Sequence, residues 1–255
     1  MSLKIRTAGV IGAAALLLPS LSFAQGAGAA GALPDARAVL KRYVDVTGVA
    51  KLTSLPGIHM RGTFEVPAGG LSGTMEQFVD KSWRTLQVTV ISGIGEMRQG
   101  SDSMFAWTVD PVQGPRLLEG REFAERREQE DPRGMRRDPS YVVNAQTLER
   151  SVVDGEACVK LKLTWKSGRE TTECYSEKTG LLVSMDGTET TSMGPIPSST
   201  SFAEYKTFDG IMFATKVTQR AQGIEAIQRV TEVVFETVDP SALALPPAIQ
   251  ALRKR

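Results

Sequence analysis

Cys158-Val-Lys-Leu-Lys-Leu-Thr-Trp165 is the stretch that decides the fold, because every second residue in it is apolar. A period of two is that of a β-strand with one buried and one solvent-facing side. The same alternation recurs in short runs from Pro56 to Glu236, and glycine-containing turns such as Lys166-Ser-Gly-Arg169 separate the runs. We therefore predict about ten or eleven antiparallel strands.

Helical patterns stand at both ends and in the middle of this strand region. Near the N-terminus, apolar residues recur at helical spacing up to a break at Gly48, which predicts an amphipathic helix; they are Ala36, Val39, Leu40, Tyr43 and Val44. Pro246 and Pro247 precede a short terminal helix at Ala248–Leu252. The charged segment, Leu117–Tyr141, predicts one or two short helices. Together with the preceding Arg116 it balances seven arginines with seven acids. Such a mixture is typical of a solvated helix surface, and the alternative is a movable lid or docking face.

An apolar sheet face of this size has to be covered by a second sheet, by closure into a barrel, or by helices. With one strong amphipathic helix available, we expect a mainly β (α+β) fold. Its curled antiparallel sheet forms an incomplete barrel, capped by the N-terminal helix and the inserted helical segment. This arrangement leaves an apolar hollow.

The first twenty-four residues have the pattern of a secretory signal peptide. Lys4 and Arg6 form a positive region, Val10–Leu18 is apolar, and Ser22-Phe-Ala24 supplies small residues for cleavage. The apolar run is too short for a membrane span, which needs about twenty residues. We predict cleavage near Ala24, with no cysteine there to carry a lipid anchor, and a periplasmic location.

The chain downstream of the signal peptide is predicted to form one domain. Gln25–Leu33 is a Gly/Ala-rich tether that we expect to be disordered, and residues 34–255 form the domain. Removing the signal peptide with its two cations changes the net charge from +1 to −1. This near neutrality argues against binding of nucleic acid. We also expect the protein to be a monomer.

Cys158 and Cys174 are the only cysteines and flank one predicted hairpin turn. If the loop has an odd number of residues, both lie on the same, polar face of adjacent strands. A strict two-residue Ser-Gly turn would instead put them on opposite faces and forbid a bond. An even cysteine count in an exported protein favours the disulfide.

The inventory of reactive residues argues against an enzyme. His59 is the only histidine and lies on the polar side of a predicted strand, where a surface residue is expected. No cluster of metal ligands, phosphate-binding loop or nucleophile elbow is present, so we predict no metal and no cofactor. Carboxylates such as Glu128 and Glu130 are plentiful, so a glycosidase stays open as the less favoured hydrolase alternative.

Several local sequences, in their order along the chain, resemble the periplasmic LolA-like family of outer-membrane lipoprotein-sorting proteins. They are Ala106-Trp107, Gly114-Pro115, Lys178-Thr-Gly-Leu181, and Tyr205 followed by Asp209-Gly210, and the resemblance covers most of residues 36–245. It implies an incomplete antiparallel barrel capped by helices, with an apolar cavity for acyl chains. The charged segment is a departure from the carrier proper.

Binding of an apolar ligand is therefore the favoured hypothesis. We expect a carrier or binding protein for lipid or lipoprotein acyl chains, with a membrane protein as a transient partner. The alternative is a non-catalytic accessory interaction module of an envelope complex. The predicted cavity residues, which could equally fill a solid core, are Met60, Phe64, Met75, Val88, Val90, Trp107, Leu161, Leu163, Trp165 and Phe213.

Overall fold

The computed structural model describes residues 31–253. The predicted signal peptide and most of the predicted tether lie outside the described residues. Leu33–Arg255 is one compact unit, and its described part contains thirteen β-strands rather than ten or eleven. They are β1 Gly57–Val66, β2 Leu71–Asp80, β3 Thr85–Ile91, β4 Gly95–Ser101, β5 Ala106–Asp110, β6 Gly114–Leu118, β7 Val142–Val153, β8 Glu156–Trp165, β9 Glu170–Ser176, β10 Leu182–Thr191, β11 Gly194–Phe208, β12 Ile211–Ala221 and β13 Ile224–Val234.

All thirteen strands of the described chain belong to one antiparallel sheet that does not close. The strand order is β6-β5-β4-β3-β2-β1-β13-β12-β11-β10-β9-β8-β7, so β6 and β7 are the two edges. These edge strands follow each other in the chain and are joined by the charged segment. The predicted fold class is confirmed: the sheet is an incomplete barrel, and a helical insertion connects its two open edges.

Four α-helices accompany the sheet within residues 31–253: α1 Ala36–Thr47, α2 Gly120–Glu130, α3 Pro132–Met135 and α4 Pro247–Arg253. The carboxylate of Asp35 caps α1 by accepting a hydrogen bond from the Ala38 amide, and Gly48 ends the helix with a φ of 66°. Two 3₁₀ turns, Val49–Ser54 and Pro240–Leu243, precede β1 and α4. Among the described helices, none combines the length and apolar character needed to cross a membrane.

The sheet has two faces, which we call inner and outer; the inner face is the one covered by α1 and the charged segment. Leu161 and Leu163 on the inner face are fully buried and pack with Leu40 of α1. Alternation along β8 places Lys160 and Lys162 on the outer face. The terminal helix α4 covers a different part of the outer face, where Ile249 joins a cluster formed by β3 and β5.

The hairpin of β8 and β9 has the odd-length loop that the disulfide requires. Thr164 pairs with Glu170, and the Trp165 amide donates a hydrogen bond of 2.8 Å to the Arg169 carbonyl, which leaves a loop of residues 166–168. Cys158 and Cys174 then lie diagonally across the two strands on the same face, and the disulfide is formed. They share the outer face with Lys160 and Lys162, as predicted, and both cysteines are buried there.

Candidate functional site

A cavity of about 430 Å³ lies on the inner face between the helical elements and strands β10–β12. The 3₁₀ turn Val49–Ser54 and α3 form one side of it. We call it the apolar cavity, after the large side chains on its wall: Met60, Met135, Met185, Phe202, Met212 and Phe213. Methionine is unbranched and polarisable, so four methionines give this wall the capacity to fit irregular apolar shapes.

A second cavity, of about 450 Å³, adjoins the first along the inner face. We call it the polar cavity, because amides, hydroxyls and charges supply most of its wall, including Gln87, Thr89, Gln99, Glu122 and Arg126. The two cavities share four polar wall residues, namely Gln129, Glu189, Gln219 and Gln228. The inner face therefore grades from an apolar compartment into a polar one.

Seven of the ten predicted cavity residues lie on the inner face. Met60, Trp165 and Phe213 line the apolar cavity, and Phe64 lines the polar cavity. Leu161, Leu163 and Met75 also face inward but are buried. The two leucines are packed into the solid cluster beneath α1.

The other three predicted cavity residues lie outside the cavities, on the outer face. Met60 faces inward and pairs with Gln77, which pairs with Gln87, so the neighbouring Val88 faces outward. By the same alternation Val90 and Trp107 also face outward. The sequence-based expectation for these three is corrected. Val88 and Trp107 belong to an apolar cluster that α4 covers, whereas Val90 is 45% exposed.

The charged segment is not simply a solvated surface, which corrects that interpretation of its composition. Glu125 and Glu128 of α2 are 3% and 2% exposed. Glu125 accepts hydrogen bonds from the amide and hydroxyl of Thr190 on β10, both at 2.9 Å. Glu128 accepts from the amide and hydroxyl of Ser167 at 2.6 and 2.8 Å. Burial raises the pKa of Glu128 above its usual value. These carboxylates attach α2 to the sheet.

A buried polar network attaches the end of the charged segment to β9. Glu173 is fully buried and accepts two hydrogen bonds from the Arg137 guanidinium, each of 3.2 Å, and one from the Tyr175 hydroxyl. Arg137 also lies over the Tyr43 ring, 5.2 Å from its centroid. Burial raises the pKa of Tyr175 well above its ordinary value, so this phenol stays protonated. The charges of Glu173 and Arg137 compensate each other through their two hydrogen bonds.

Arg169 also lines the apolar cavity, but its charge is poorly compensated. Its side chain lies over the Trp165 ring, with a distance of 4.7 Å to the centroid, and the residue is 3% exposed. Its Nε has no hydrogen-bond partner among the described residues, and the nearest carboxylate oxygen, Glu128 Oε2, is 3.9 Å away. Burial lowers the pKa of Arg169.

His59 lies on the outer face, away from both cavities. Its Nε2 is 2.7 Å from Glu76 Oε1, and its Nδ1 is 3.1 Å from Glu236 Oε1. The ring stacks on Phe78 with a centroid distance of 4.3 Å. Because of these neighbours the residue is only 8% exposed, which corrects the expectation of a surface histidine. Its contacts give it a structural role in joining β1 to its neighbours.

Sequence patterns missed several cavity residues. Met135, Met185 and Met212 belong to no clean apolar alternation, although the number of methionines in the chain hinted at an adaptable wall. Arg169 was visible only as part of a hairpin turn. Its burial results from the packing of α2 on that turn, and no local pattern encodes this packing.

Comparison with known proteins gives matches in structure only. No family model matches the chain, and no curated protein matches it. A DUF1329 family protein from Desulfovibrio piger is similar with a TM-score of 0.56 and 13% identity, over 82% of this chain and 97% of that one. A LolA superfamily protein from Nitrosomonas europaea has a TM-score of 0.55 and 10% identity, over 83% of this chain and 98% of the other. A putative outer membrane lipoprotein-sorting protein domain from Vibrio parahaemolyticus has a TM-score of 0.50 and 10% identity, over 85% and 100%. The chain therefore has a LolA-like fold.

Proposed function

We propose that this protein is a periplasmic carrier or binding protein that holds acyl chains of a lipid or lipoprotein in the apolar cavity. The observation that carries the proposal is the cavity itself, an opening of about 430 Å³ whose wall is rich in methionine and phenylalanine. Transfer of an acyl chain from water into such a site contributes about 0.8 kcal/mol per methylene, so burial of the chain alone can supply useful affinity. The LolA-like fold supports the proposal.

The charged segment is the element that would admit the ligand. It is attached to the sheet by side-chain bonds, such as those from Thr190 to Glu125 and from Ser167 to Glu128. The backbone ladders of the sheet continue from β6 to β7 without including α2 or α3. Moving α2 and α3 aside would therefore expose the cavity without breaking any pairing between strands.

Export and the absence of catalysis are parts of the same proposal. The N-terminal pattern of Lys4, Arg6 and Val10–Leu18 supports a periplasmic location. The two carboxylates considered for hydrolysis bind different elements, since Glu128 accepts from Ser167 and Glu130 from Ser101 of β4. This divergence supports a structural role for both carboxylates.

Lipid extraction tests the proposal directly. The mature protein, purified without detergent, would be extracted with organic solvent and the extract examined by mass spectrometry. We expect an acyl lipid in stoichiometric amount. A protein that carries no lipid and takes up none from vesicles would contradict the carrier function and leave the interaction module as the better hypothesis.

A matched pair of variants ties the lipid to the cavity. Val217→Trp adds bulk within the apolar cavity, whereas Ser201→Trp adds the same ring on the outer face of the neighbouring strand. We expect the first variant to lose most of its bound lipid and the second to retain it. Equal retention by two folded variants would place the lipid elsewhere.

A further inference from the structure

The Arg169 guanidinium is the most unusual group on the wall of the apolar cavity. A buried cation needs a paired anion and hydrogen-bond acceptors, because its desolvation is otherwise unfavourable. Arg169 has neither in full: its Nε is without a partner among the described residues, and Glu128 is 3.9 Å away. The cavity is the direction from which a further partner can approach.

Compared with the neighbouring arginines Arg137 and Arg121, Arg169 has the weaker counter-charge. Arg137 is neutralised by two hydrogen bonds to Glu173, and Arg121 lies 2.7 Å from Glu125. Glu128 remains as the nearest counter-charge, but both of its oxygens already accept hydrogen bonds from Ser167. The geometry therefore leaves room for one additional oxyanion beside Arg169.

We propose that Arg169 binds the anionic end of an amphiphile, a carboxylate or a phosphate monoester, while the acyl chain of that ligand lies in the apolar cavity. This inference rests on the proposed function. It narrows the class of ligand to anionic lipids that have a single acyl chain or a headgroup free to reach Arg169. Arginine suits the role because its planar fork donates two parallel hydrogen bonds to a carboxylate or phosphate. Trp165 beneath the guanidinium holds the fork in place.

The test compares ligands that differ only in the anionic group. Delipidated protein would be titrated with palmitate, hexadecyl phosphate and hexadecanol by isothermal titration calorimetry, and with inorganic phosphate alone. A charge-assisted hydrogen bond of about 1.5–3 kcal/mol corresponds to a preference of roughly ten- to a hundredfold for the acids over the alcohol. We expect Arg169→Gln to abolish that preference, with the affinities for the two acids falling to that for hexadecanol.

Two further variants control for folding and for charge. Arg169→Lys keeps the positive charge but loses the planar fork, so we expect a preference for the acids between those of the wild type and of Arg169→Gln. This variant also keeps the proposal testable if Arg169→Gln does not fold. Arg61→Gln removes an arginine on the outer face, where it is paired with Glu76 and Glu232, and we expect no change in preference.

The outcomes separate the two proposals. Equal affinity of the wild type for acid and alcohol, or equal weakening of both by Arg169→Gln, would overturn the role of Arg169 and leave the carrier function standing. Binding of inorganic phosphate as tight as that of hexadecyl phosphate would assign the site to a free anion instead. If none of the chain-bearing probes binds, the proposed function fails, and the headgroup site fails with it.

Discussion

Truncation of two inner-face residues distinguishes packed core from open cavity. Leu163→Ala and Met185→Ala each remove three heavy atoms, but Leu163 is fully buried in the cluster beneath α1 and Met185 borders the apolar cavity. For Leu163, the lost transfer free energy is about 2.4 kcal/mol, and the new void raises the total to about 3–4 kcal/mol. For Met185, part of the side chain already faces empty space, so we expect a loss of about 1 kcal/mol.

The assay is urea unfolding of delipidated protein, followed by circular dichroism. The difference in free energy of unfolding should appear as a shift of the midpoint with an unchanged slope. Addition of an acyl ligand should stabilise the wild type more than the Met185→Ala variant. Of the two truncated side chains, Met185 would contact the ligand and Leu163 would not. Equal losses from the two truncations, with no ligand effect, would refute the distinction and indicate that the cavity is a filled core in solution.

Three further predictions concern stability. Replacing Cys158 and Cys174 by alanine opens a link between residues 16 apart and should reduce the free energy of unfolding by about 3 kcal/mol, measured by urea titration; a loss below about 1 kcal/mol would contradict it. Gly168→Ala places a side chain at a φ of 83° in the β8–β9 loop and should lower stability by about 1 kcal/mol, whereas an unchanged melting curve would show that the loop adapts. Asp131 is buried, which opposes its ionisation, but its hydrogen bonds from Arg133 hold its pKa below the ordinary value of 3.8. Its stabilisation is thus present above pH 3.8 and is lost as the pH falls through the lower folded value. Stability of Asp131→Asn should therefore depend less on pH in acid, and parallel wild-type and variant curves would count against this.

Much of the fold follows from local patterns in the sequence. The alternation at Cys158–Trp165 gives strand β8, and helical spacing together with Gly48 gives α1 with its observed end. The disulfide followed from the position of two cysteines around one turn, once the loop length was odd. These features depend on residues close together in the chain, where the repeat of a strand or helix is directly visible.

The choice of face was less accessible to sequence reasoning. Alternation shows that Leu86, Val88 and Val90 share a side of β3, but not which element covers that side. The answer depends on α4, more than 150 residues further along the chain. In the same way, the composition of the charged segment did not reveal that Glu125 and Glu128 would find hydroxyl and amide donors on β10 and in the β8–β9 loop.

The open sheet has a consequence for how the protein behaves in a crowded compartment. An unpaired edge strand presents a row of backbone donors and acceptors that can recruit another chain. Strand β6 is only five residues long and contains Pro115, which has no amide hydrogen to donate. Strand β7 has irregular register at two points and carries the charged residues Glu149 and Arg150. Both edges are thus poor templates for aggregation, so an incomplete barrel can remain open without recruiting further strands.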